Sequence, residues 1–416
     1  MRTFINFSIL FHTLLLCHGS FSQTLEIDRE SQDLKVSKNL WIQNQHPALH
    51  YVESTIAVHP KDENTWAIAS MVLDNSKGLQ FKTQVSVTED KGNSWSTEVF
   101  EDVYADPQLL FRNNGELIFI GLSGNGIKFY SSKNNGQSWD LLQELLGSFD
   151  HPFLYDFQGQ ISCVSSAKGN KSIYIDHNID DGKEGFYHHF NNRFQQDNMQ
   201  HLAQRDGDLI IPYFQYHVSQ QGPVSDALYF ITSESNSNTS NQPRFISKSS
   251  GVGKGFTGIK SHKEVGKFFS VVAVGRTKFD FDAIAVHQSP KKDIAWRTSM
   301  IYPDSERFYC PTFTINNQGI IALFWYGKDQ ENLQQGGDIY FTISKDQGES
   351  FSKPIIVNDK PQKPIAKEDG IVMKRFPGGG HYSGIASLSD GSFQLVWSDT
   401  RSGHYQLYTT NIKAIQ

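Results

Sequence analysis

An eight-residue pattern written three times constrains this chain more than any other feature: residues 88–95 (TEDKGNSW), 132–139 (SKNNGQSW) and 344–351 (SKDQGESF). Each copy opens on Ser or Thr, carries Asp or Asn two positions on and Gly two positions after that, and closes on Trp or Phe. The chemistry is that of a tight turn. Short oxygen-bearing side chains accept bonds from neighbouring amides, Gly takes a positive φ, and the terminal ring plugs the loop from beneath. Runs of alternating apolar and polar residues flank each copy, so each reads as a hairpin turn between strands.

A longer repeat sets the count. Strand, polar turn and strand recur at 54–58 with 66–69, 107–111 with 117–120, 152–156 with 160–163, 201–204 with 209–211, 269–272 with 281–284, 311–315 with 320–323, and 382–385 with 393–396. Seven such units at this spacing predict an all-β, seven-bladed β-propeller filling residues 23–416 as one domain. The last unit runs out of chain after Tyr408, so the early strand 40–42 (LWI) is expected to complete it and close the ring. The polar stretch 233–242 (SESNSNTSNQ) reads as a hairpin loop.

Residues 1–22 have the form of a cleavable secretory signal: Arg2, an apolar stretch from Phe4 to Cys17, then small residues at Ser20 and Ser22. The protein is therefore expected outside the cytoplasm, secreted or at an outer surface, and as a monomer. Leu15-Leu16-Cys17 hints at lipid attachment, but Leu16 stands where a small residue is wanted. Signal removal leaves Cys163 and Cys310, too few for a disulfide framework. No later window is apolar enough to span a bilayer. A formal charge of −6 gives no global cationic field, so nucleic acid and membrane insertion are not expected.

The octapeptide resembles the Asp box of the sialidase-like propellers, over nearly the whole chain after the signal. That resemblance implies boxes between the outer two strands of a blade and a functional face on the opposite side. The loops before each inner strand and after each second strand reach that face. They carry His151 (in Asp150-His151-Pro152), Arg193, His201, Tyr216, His217, Arg307, Cys310, Arg375, His381 and His404, with the acids Asp106, Asp150 and Asp399.

His151 is the first candidate for proton transfer, and Tyr216 or His217 can face the channel beside it. Arg193, Arg307 and Arg375 can converge on a carboxylate or sulfate with forked donors. Trp325, Tyr326 and Tyr382 offer rings for sugar stacking, and His201 a further substrate contact. Cys310, His381 and His404, with His262 from the blade before, have the ligand types of a tetrahedral zinc site; no organic cofactor is expected.

True sialidases carry an Arg-Ile-Pro segment near the mature start. Here no Arg occurs between Arg29 and Arg112, and the nearest match, Lys374-Arg375-Phe376-Pro377, precedes the last blade. The residue types instead look like those of the propeller ulvan lyases. That resemblance implies β-elimination on an acidic, uronate-bearing polysaccharide, with His151 and Tyr216 as base and acid and Arg307 neutralising the carboxylate. Two other readings stay open: a glycoside hydrolase such as an exo-sialidase, using two carboxyl groups, and a glycan-binding propeller without catalysis.

Overall fold

The computed structural model describes residues 27–415 except 32, 43–44, 77–78, 158, 170, 191–193, 196–201, 206–207, 220–221, 235–238, 252–255, 263–265, 278–279, 290–295, 304–306 and 329–336. Seven antiparallel sheets follow one another along the chain. Blade 1 runs His50–Val58, Trp66–Asp74, Gln80–Thr88, Ser96–Phe100 from axis to rim; blade 2 runs Ala105–Phe111, Leu117–Leu122, Gly126–Ser132, Asp140–Leu146. Blade 3 is Phe149–Phe157, Gln160–Ala167, Ser172–Asp176, Phe186–His189. In blade 4 the inner position is split between Phe194–Gln195 and Ala203–Arg205, followed by Asp208–Ser219, Gly222–Glu234 and Arg244–Gly251. Blade 6 is Arg307–Ile315, Ile321–Lys328, Asp338–Ser344, Ile355–Ile356.

Blade 5 corrects the sequence reading by one strand. The run 269–272, expected innermost, lies in the second strand, Lys267–Thr277; the inner strand is Phe256–His262, and Asp280–Gln288 and Arg297–Ile301 complete the sheet. The true inner strand holds few alternating hydrophobes, whereas the second and third are strongly apolar and pair through a short turn. They therefore mimic the start of a blade.

Closure occurs as expected. Blade 7 takes Gly384–Ser387, Phe393–Asp399 and Gln406–Ala414 from the end of the chain and its outer strand from the beginning. Leu34–Ser37 pairs with the far half of Gln406–Ala414, and Leu40–Trp41 with the near half (Leu40 opposite Thr409). Ile27–Glu30 adds a further strand outside. Each blade packs its apolar face on the next. Between blades 1 and 2, for example, Val85, Val87, Phe100, Leu117 and Phe119 are all buried, each worth about 1.5–3 kcal/mol relative to exposure.

The three boxes sit between third and fourth strands and share one bonding scheme. Thr88 Oγ1 accepts the Gly92 amide and Asp90 Oδ1 the Ser94 amide, both at 2.8 Å. Ser132 and Asn134 do the same for Gly136 and Ser138, and Ser344 and Asp346 for Gly348 and Ser350. Trp95 Nε1 donates to Gly92 O at 3.1 Å, which locks the ring under its loop.

At the other end of the inner strands a second irregularity repeats. The ladder slips between Val52 and Thr55, Ala105 and Gln108, Asp150 and Phe153, and Tyr309 and Thr312. At each slip one residue other than Gly takes a left-handed backbone: Glu53 (φ 54), Asp106 (51), His151 (49) and Cys310 (51). Such residues cost of order 1–3 kcal/mol each and gather where a site needs a side chain aimed off the sheet.

Candidate functional site

These bulges aim one side chain per blade toward the channel mouth. Blades 1, 2 and 3 supply Glu53, Asp106 and Asp150-His151, and blade 6 supplies Cys310. Blade 7 supplies His381 from the loop ahead of its inner strand.

Two histidine–carboxylate pairs result, each formed across a blade boundary. The His151 amide donates to Asp106 Oδ2 at 3.0 Å, and its Nδ1 lies 3.6 Å from Asp106 Oδ1. Its Nε2 lies 3.8 Å from Asp150 Oδ1, so a carboxylate stands near each ring nitrogen. On the other side, Glu53 Oε1 accepts the His381 amide and lies 3.2 Å from His381 Nδ1. The two imidazoles face one another edge to face with centroids 6.4 Å apart. Glu53 and Asp106 are buried while both rings keep some exposure, 12% for His151 and 25% for His381. A fixed carboxylate behind a partly open imidazole is the arrangement that orients a ring for proton transfer.

Two tyrosines border this ring. Tyr104, 39% exposed, stands by Asp106 and Asp150; burial first, then those two charges, raise its pKa. Tyr382 is 3% exposed, and burial followed by Asp106, Glu53 and Asp150 holds its phenol well above the usual value.

Several expected site residues lie elsewhere. Trp325 and Tyr326 are 1% exposed because their strand continues to Lys328 and keeps both within the sheet. Trp325 stacks on Tyr340 at 5.9 Å, and the Tyr326 hydroxyl accepts the Ser398 amide at 2.8 Å. Neither ring, nor that of Tyr382, is open to a sugar face, which removes the stacking role. Arg375 ends the short helix Gly370–Arg375 with its guanidinium over Phe81 and Phe376. Asp399, fully buried, holds Arg401 through Nε at 2.9 Å and Nη2 at 2.8 Å and accepts Trp397 Nε1. It is a structural acid, not a mouth acid.

Among the described residues, Cys310, His381 and His404 do not form a common ligand group. Cys310 Sγ donates to Gly380 O at 2.6 Å, and burial, reinforced by Glu53, pushes the thiol up and away from the thiolate a metal needs. His381 belongs to Glu53, and His404 is drawn to Asp369 (3.9 Å) and His50 (5.1 Å between rings). Among the described residues, donors within mutual reach form two other groups: His50, Asp369 and His404, and Asp106, Asp150 and His151. In the first, His50 Nδ1 accepts the Tyr405 amide at 3.2 Å and Nε2 lies 3.2 Å from Asp369 Oδ2.

Arg193 and His201 lie outside the described residues. Tyr216, His217, His262 and Arg307 have their backbones in strands, but their side chains lie outside the description. Sequence reasoning missed Glu53 and Tyr104. A signal for Glu53 was present: it precedes Ser54 where Asp106, His151 and Cys310 precede Pro107, Pro152 and Pro311 at the same point of their blades.

No family model matches the chain, and no curated protein matches it. Solved structures do. An ulvan lyase of a new polysaccharide lyase family aligns with TM-score 0.52 at 11% identity, covering 91% of this chain and 93% of that one. A fungal alcohol oxidase in complex with copper gives 0.55 at 12%, covering 91% and 76%. A protein of unknown function from Dyadobacter fermentans gives 0.50 at 10%, covering 92% and 99%. At such identities these likenesses speak to fold alone. The chain is a seven-bladed β-propeller with three Ser/Thr-x-Asp/Asn-x-Gly-x-x-Trp/Phe turns between the outer strands of its blades.

Proposed function

We propose that this protein is a secreted glycan-active enzyme that cleaves a uronate-bearing polysaccharide by β-elimination. The observation that carries the reading is the pair of carboxylate-backed imidazoles, His151 and His381, facing each other across the channel mouth. His381 has its carboxylate at Nδ1 and is assigned as the base that takes the proton beside the uronate carboxylate. His151, with a carboxylate near each nitrogen, is assigned as the donor.

The electron pair of the broken C–H bond forms the C4–C5 double bond, and the C4–O bond breaks. The departing oxygen takes a proton from His151; the proton gained by His381 then passes to solvent and His151 takes one back from it. Charge gathering on the uronate carboxylate needs a cation, a part assigned to Arg307, which opens the blade 6 inner strand three positions before Cys310. The likeness in fold to an ulvan lyase supports this substrate class. Hydrolysis is less well served, because Glu53 and Asp106 are already bonded to the amides of the histidines they hold.

The test mixes the mature protein with ulvan, pectate and alginate and follows the ultraviolet absorbance of the unsaturated uronate alongside new reducing ends. Both signals rising together support elimination. Reducing ends without the absorbance would replace it with hydrolysis.

A further inference from the structure

Beside the ring of bulges, the inner segments of blades 7, 1 and 2 border a small, partly open cavity of about 40 Å³, room for a single hydroxyl or hydroxymethyl group, lined by Ser54, Thr55, Gln108, Tyr382 and Ser383 among others. Its position is set by sequence. Ser54 follows Glu53, Gln108 lies two residues past Asp106, and Tyr382 follows His381. The cavity therefore adjoins the segments that carry Glu53, Asp106 and His381.

Among the described residues, one buried polar group on this cavity stands out: the Tyr382 hydroxyl has no hydrogen-bond partner, on a residue 3% exposed. Gln108, 7% exposed, lines the same cavity and sets a carboxamide beside it. Buried polar groups in folded proteins are nearly always bonded, and each exception calls for a reason. Neighbouring polar groups do not supply one: the Ser383 hydroxyl turns to Tyr326 at 3.2 Å and Ser54 to the Val396 carbonyl at 3.5 Å.

We propose that Gln108 and Tyr382 form a subsite that reads a hydroxyl group of the sugar ring held beside His151 and His381. A phenol and a carboxamide side by side offer donors and acceptors without charge, the complement of a sugar hydroxyl. The surrounding carboxylates and burial keep the phenol protonated, so Tyr382 serves as a neutral partner and not as a base. The subsite rests on the glycan reading above but not on elimination as the chemistry.

The experiment compares wild type, Tyr382→Phe and Gln108→Leu in thermal unfolding, in turnover and in affinity gels cast with ulvan, pectate or neutral arabinan. Because the hydroxyl has no partner in the free protein, Tyr382→Phe should unfold at the same temperature or higher. KM should rise about tenfold in each variant, with kcat changed less than twofold, and retardation in the gel should weaken in parallel. A lower unfolding temperature for Tyr382→Phe would show the hydroxyl to serve the fold, and unchanged KM and retardation would remove the subsite. Should wild type be retarded but release no product, elimination fails while the retardation of the variants still decides the subsite. Absence of retardation by any of the three polymers sinks both.

Discussion

Glu53 and His381 come from the first and last blades, yet one carboxylate oxygen of Glu53 lies 3.2 Å from both the amide nitrogen and Nδ1 of His381. That shared oxygen fixes the backbone and the ring together. Replacing His381 or His151 by Ala should lower turnover by about 10²–10⁴ with the circular dichroism spectrum unchanged. A variant that retains full turnover leaves its histidine outside the chemistry.

Glu53 is a positioning residue. Glu53→Gln keeps the size of the side chain and an oxygen for the amide but removes the charge behind the ring. Turnover should drop about a hundredfold or more, and the pH profile of kcat should change shape while KM moves little. A loss of stability with an unaltered pH profile would instead mark Glu53 as a purely structural acid.

The Asp399–Arg401 cluster makes a separate prediction about the fold. Arg401 also pairs with Asp359 and lies over the Tyr408 ring at 4.0 Å, so it joins the loop before blade 7 to the blade itself. Arg401→Met strands a fully buried carboxylate, and chemical denaturation should register about 3–5 kcal/mol of destabilisation. A loss below 1 kcal/mol would mean that the cluster relaxes around the gap.

Acid should weaken the protein through His287. Burial pushes this histidine from 6.5 down to about 4, with Nδ1 2.9 Å from Thr298 Oγ1. The unfolded chain takes up its proton first as pH falls, so stability is present above about 6.5 and is lost toward about 4. The full loss is about 3 kcal/mol. Denaturation midpoints followed across that window should fall for wild type and flatten for His287→Gln; parallel curves would place the acid sensitivity elsewhere.

What the sequence made legible was local. Each Asp box closes its bonds within eight residues, so Thr88, Asp90, Gly92 and Trp95 announce their geometry wherever they stand. The seven units followed from periodicity, and so did His151, because Pro152 marks the strand mouth. Contacts between blades were not legible. The attraction of His404 to Asp369 depends on how the segment holding the Gly370–Arg375 helix folds over blades 7 and 1. Trp325 and Tyr326 were misplaced because an aromatic pair at a strand end looks the same whether the strand stops or continues to Lys328. In blade 5, the weakly alternating run Phe256–His262 concealed the inner strand behind its more apolar neighbours.

The closing strand carries a consequence for how function arises. Ser37 and Thr410, 373 positions apart, are joined by a hydrogen bond on the seam between the two ends of the chain. The Glu53–His381 pair spans the boundary between this closed blade and blade 1. On the function proposed above, half of the reactive pair comes into being only when the circle shuts, and an open-ringed conformer should be silent. Turnover becomes a gauge of topological completion, sensitive to a failure far out on the rim that would leave every reactive side chain in place in its own blade.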